Sequence, residues 1–162
     1  MTGPRDARFA EGAEQPLHLL AVAPDDLGVI SALVQDAVLP ATEMRWDRRG
    51  RRLALLLNRF RWEIRDAAER HHRSYERVQS VLTVEDVRLV ASQGFDRRDP
   101  ELVLSVLSIA FEPGEDGAGR VILTLAGDGA IAIDVECLEV TLHDVTRPYE
   151  APSGKAPHHP ED

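Results

Sequence analysis

Val121-Ile-Leu-Thr-Leu-Ala-Gly-Asp-Gly-Ala-Ile-Ala-Ile-Asp-Val135 is the stretch on which the fold turns. Val121 to Leu125 is rich in β-branched and aliphatic residues, Gly127-Asp128-Gly129 is a tight turn, and Ile131, Ile133 and Val135 then alternate with Ala132, Asp134 and Glu136. A strand-like run joined this closely to a period-two one reads as an antiparallel hairpin, its second strand half-buried. Downstream the apolar parity moves to Leu138, Val140 and Leu142, which predicts a bulge near Cys137; a closing helix over about 137–145 is the alternative. Upstream, 113–119 is a loop, and Leu102 to Phe111 is nearly continuous in apolar residues, as a central strand would be.

The pattern continues toward the amino terminus. Val78 to Val90 has β-type composition interrupted at Glu85-Asp86, and Glu43 to Asp47, the turn Arg48-Arg49-Gly50 and Leu53 to Leu57 read as a second hairpin. Arg59 to Glu63 sets Phe60 and Trp62 against Arg59, Arg61 and Glu63. This reverses the apolar parity of Leu53, Leu55 and Leu57, so either a bulge near Asn58 or burial of both faces is implied. Residues 64–74 suggest a charged helical turn, with Asp66 and Arg70, and Glu69 and Arg73, four apart. Leu17 to Val22 is a short strand. One amphipathic helix follows: Pro24 suits its first position, Asp25 and Asp26 suit the positive end of its dipole, and Leu27, Ile30, Val34, Ala37 and Val38 recur until Pro40. The sum is an α+β domain over residues 17–145, a mostly antiparallel, curved sheet of about seven strands packed on one N-terminal helix, with barrel-like closure as one form it can take. Residues 1–16 and the Pro-rich 146–162 read as flexible tails.

With 162 residues, 43% of them hydrophobic, the chain can bury a real core. No apolar run reaches the roughly 20 residues of a membrane span, and the first residues lack the pattern of a secretory signal, so a cytoplasmic protein is expected. The single Cys137 offers no intramolecular disulfide and reads as a small core residue. A net charge of −9 argues against nucleic acid and anionic membrane as partners. Yet between Arg45 and Arg77 eleven arginines face five acids. Arginine forks can hold phosphate or carboxylate in two-pronged fashion, so Arg48, Arg49, Arg51, Arg52, Arg59 and Arg61 are the candidate anion- or partner-binding residues. The competing reading is that these side chains neutralise the protein's own carboxylates, so that losing Arg59 and Arg61 would alter stability only slightly.

Other features carry less. Gly127-Asp-Gly129-Ala-Ile-Ala132 has the spacing of a dinucleotide fingerprint, but a strand rather than a helix is expected after it. His71-His72 and His158-His159 lack the spacing of a metal site, and His18 and His143, in or beside strands, read as hydrogen-bonded structural groups. Asp134 with Glu136 reads as the wet side of a strand, and Ser105 and Ser108 as core hydroxyls. No catalytic set, cofactor or metal site is predicted.

Several segments together resemble an uncharacterised alphaproteobacterial family, a domain of unknown function. They are Asp26-Leu27 with Ile30-Ser31-Ala32 and Gln35-Asp36-Ala37-Val38; Leu57-Asn58-Arg59-Phe60-Arg61-Trp62-Glu63; Arg77-Val78; Phe111-Glu112-Pro113; Ala126 to Ile131; Val135-Glu136-Cys137; and His159-Pro160-Glu161-Asp162. The resemblance implies no catalytic residue, ligand or partner. The expected function is a small non-enzymatic interaction or accessory module with a protein partner. The alternative is a small enzyme or ligand-binding protein that takes a small anionic ligand at residues 45–77.

Overall fold

The computed structural model describes residues 16–64 and 76–150. Eleven strands lie within them: β1 (His18–Ala21), β2 (Val38–Pro40), β3 (Met44–Asp47), β4 (Arg52–Phe60), β5 (Glu76–Val84), β6 (Val87–Gln93), β7 (Val103–Pro113), β8 (Gly119–Leu125), β9 (Gly129–Val135), β10 (Val140–Asp144) and β11 (Tyr149–Glu150). Helix α1 (Pro24–Val34) follows β1, and a single 3-10 turn (Trp62–Ile64) follows β4. Every pairing is antiparallel. The strand path is β1-β10-β5-β4-β2-β7-β8-β9-β6, with β3 attached to β4 and β11 to β5; its ends, β1 and β6, do not pair with each other, so the barrel stays open. The count exceeds the seven expected because β2 and β11, of three and two residues, are too short to leave a period in the sequence, and because the run from Val78 to Val90 makes two strands, β5 and β6.

One apolar cluster joins both halves of the path. Leu55, Leu82 and Leu142 come from one half, Val121, Ile131 and Ile133 from the other, and Leu27, Ile30 and Val34 of α1 fill the space between. Each of the three helix residues, fully buried, contributes about 1.5–3 kcal/mol. The helix begins at Pro24 with Asp25 and Asp26 in its first turn, as expected, but ends at Val34. Asp36 then takes a left-handed conformation (φ 63°), one of the few non-glycine types that does so readily. The chain reverses, so Ala37 and Val38, which helical spacing had claimed, lead into β2 instead. Ser31 Oγ of the helix accepts a hydrogen bond from Ile109 N (3.1 Å) just beyond the bulge in β7.

The hairpin β8–β9 forms as its sequence suggests, with Gly127 and Asp128 both at positive φ (79° and 66°) in the connection. A strand follows that glycine turn, so the dinucleotide reading falls. The parity change after Val135 is neither a bulge within one strand nor a helix. The chain leaves β9 there and crosses to β10, which pairs with β5 and β1 in the other half. Cys137 lies on this crossing and is exposed, not a core residue. Tyr149 and Glu150, in the stretch read as a tail, pair with Arg77 and Glu76 of β5. The proposed helical turn at 64–74 lies almost wholly outside the described residues, as do His71-His72 and His158-His159.

A buried arginine cluster and a candidate groove

β4 pairs with β5 without interruption from Leu53↔Val84 to Phe60↔Arg77, so there is no bulge at Asn58. Instead one face is buried and the other half-buried, closing over completely at Phe60. Leu53, Leu55, Leu57 and Arg59 share the inner face, and Arg59, at 0% exposure, is among the largest fully buried side chains. It was expected on the polar side of the strand. Alternation alone could not place it, because Phe60 on the opposite face is buried too, against Trp62 (centroids 5.7 Å apart) and under the Arg77 guanidinium at 4.1 Å. Burial pulls the Arg77 pKa below its ordinary value.

All five N–H donors of Arg59 are engaged. Nε donates to Ser80 Oγ (2.9 Å); Nη1 donates to Phe60 O (3.1 Å) and Glu63 Oε1 (2.9 Å); Nη2 donates to Glu63 Oε2 (3.0 Å) and Asp144 Oδ1 (2.9 Å). Ser80 Oγ donates in turn to Asp144 Oδ1 (2.7 Å), and Asp144 Oδ2 accepts from Leu17 N (2.8 Å). Burial works against the charge on Arg59, but the carboxylates of Glu63 and Asp144 outweigh it, and the pKa lies above the ordinary arginine value. The cluster ties β1, β4, β5, β10 and the 3-10 turn together at one end of the sheet, and no donor of Arg59 is left for a ligand.

The other sequence-predicted residues are divided between two places. Arg61, also buried, forms an ion pair with Glu76 (3.4 Å) beside Arg59. Arg48, Arg49, Arg51 and Arg52 sit at the β3–β4 turn, seven residues along β4 from Arg59 and so about 23 Å away. Arg48 stacks 4.4 Å from the centroid of Trp46, Arg51 pairs with Glu136, and Arg52 pairs with Glu85 (2.9 Å); Arg49 is exposed. The structure brings together the four turn residues but not all six. Near the turn, the Cys137 thiol donates to Asp86 Oδ2 (3.0 Å); that hydrogen bond, with desolvation and the Asp86, Glu139 and Glu136 charges, pushes its pKa up.

Sequence reasoning missed the groove beside the arginine cluster. β3 pairs with β4 only as far as Leu55, and β2 meets β4 only at Val38↔Asn58, so the sheet forks between them. A half-open cavity of about 340 Å³ lies at the fork, lined by Val38, Pro40, Glu43, Leu56, Leu57, Asn58, Gln79 and Val103. Its walls are mostly apolar, and among the described residues that line it Glu43 alone is charged. Asn58 Oδ1 is buried with no hydrogen-bond partner among the described residues. The available signal was Asn58 itself, an amide two positions from Leu56 and from Phe60 on the half-buried face of its strand. No group of three or more His, Cys, Asp or Glu among the described residues could hold a metal ion. No helix among them is long and apolar enough to cross a membrane.

The sequence model of a family described as "Protein of unknown function (DUF2948)" matches residues 17–159. The chain belongs to that family. The DUF2948 match takes in every strand and the helix, so both the arginine cluster and the groove fall within it. No curated protein and no solved structure matches the chain.

Proposed function

We propose that this chain is a non-enzymatic cytoplasmic binding module, and that the groove at the fork takes a short, extended basic segment of a partner protein. The observation that carries the reading is the buried Asn58 Oδ1, an acceptor without a partner among the described residues, in a groove where Glu43 is the one charged residue among those described. An unsatisfied buried acceptor costs about 1–3 kcal/mol, which a donor from a ligand recovers. Val38, Pro40, Leu56 and Val103 offer apolar contact to the stem of a lysine or arginine, and the net charge of −9 favours a cationic partner at long range.

The anion-site alternative fits less well, since Arg59 is fully engaged and Arg51 and Arg52 already hold carboxylates. The test is fluorescence anisotropy with a labelled peptide of about five residues alternating lysine with valine, beside its glutamate counterpart. The lysine peptide should bind, and Glu43→Gln and Asn58→Leu should each weaken it about tenfold. Absence of lysine-peptide binding overturns the reading. Binding of the glutamate peptide that is lost on Arg48→Ala with Arg49→Ala would install the anion site in its place.

A further inference from the structure

His18 and His143 were expected to be structural groups held by hydrogen bonds. They are Cα partners across the β1–β10 ladder, with ring centroids 5.6 Å apart and planes inclined by 48°. Apart from each other, neither imidazole has a polar partner among the described residues. His18 is exposed and His143 half-buried, on the face of the sheet opposite Leu19 and Leu142. Their cross-strand neighbours on that face are Val81, beside His143 on β5, and the pair Leu20 and Thr141. None of these is charged, so nothing in the adjoining positions claims the imidazole nitrogens.

We propose that the directly facing His18 and His143 form a two-imidazole site for a borderline divalent transition-metal ion of the zinc, nickel or copper class. Two imidazoles bound to one tetrahedral ion through nitrogens about 2.0–2.1 Å away have ring centroids about 5 Å apart. The observed spacing lies within a small side-chain rotation of that value, and the register of the ladder holds it. Imidazole suits these ions over calcium or magnesium. Water on the open side completes the coordination, with no bond of the protein made or broken beyond the two metal–nitrogen contacts. Bound there, the ion would clip β1, an edge strand of four residues, to β10.

The experiment is a titration of the full chain with zinc chloride, followed through the imidazole proton resonances of His18 and His143. Both sets should shift together and saturate at one ion per chain. His18→Gln and His143→Gln should each weaken binding about tenfold or more, equivalent to about 1.4 kcal/mol, while the thermal midpoint without metal stays at the wild-type value. His158→Gln with His159→Gln, which removes the other adjacent histidines near the end of the chain, should leave the affinity unchanged. The site is overturned if neither resonance moves up to about 1 mM zinc, if either single variant keeps wild-type affinity, or if the tail variant abolishes binding.

Discussion

Arg59 shows how far a residue can depart from the pattern around it. A guanidinium with no solvent exposure, five engaged donors and two carboxylate partners is stable as a unit and expensive to break. Arg59→Met removes the cation that holds Glu63 and Asp144 and leaves Asp144 buried without that ion pair, so urea unfolding should show a loss of about 3–5 kcal/mol. The slight loss expected of a solvated arginine would contradict this placement. Cys137 gives a second prediction at this scale. Only the thiolate is alkylated, and the hydrogen bond to Asp86 raises the thiol's pKa, so less thiolate is present at a given pH than in an ordinary exposed cysteine. Asp86→Asn should react several-fold faster with iodoacetamide at about pH 8. Equal rates would show that the contact does not govern the thiol. Pairing of the arginines with the chain's own carboxylates could be read in advance, and Glu63 lies four positions from Arg59, but burial of the cluster and the Cys137 contact could not, because Asp144 and Asp86 lie 85 and 51 positions away.

Elements were more legible than residues, because their periods are local. The β3–β4, β7–β8 and β8–β9 hairpins, the break at Glu85-Asp86 and the start of α1 all follow from alternation and turn chemistry. The end of α1 did not, since Ala37 and Val38 satisfy helical spacing and strand entry equally well, and Asp36 decides between them by its backbone conformation. Asp36→Gly should therefore be nearly neutral, whereas Asp36→Val should cost about 1–2 kcal/mol in a thermal or urea melt. The reverse order would argue for a longer helix. Val34→Asp places a charge at a position with no exposure between helix and sheet and should unfold the chain; retention of wild-type amide-exchange protection would make α1 peripheral.

For the whole molecule, the consequence of the topology is a fork. β4 is shared by β3 on one stretch and β2 on another, and β2 carries the path across to β7 and the second half of the sheet. Sequence alternation reveals strands but not which strand neighbours which, so the groove at the fork, with Glu43, Asn58 and Gln79 drawn from three segments, could not be read in advance. The arginine-rich run could be read, yet the fold spends it on internal ion pairs and divides it between the two ends of β4. The claim that binding belongs to the groove and not to the arginine turn is tested most directly by mapping amide and side-chain NH₂ chemical shifts while the alternating lysine–valine peptide is added. The account predicts that the Asn58 and Gln79 side-chain amides and the backbone of Val38 and Leu56 shift in a saturable way, while Arg48 to Arg52 stay still. Shifts confined to Arg48 to Arg52, or none at Asn58 and Gln79, would contradict it.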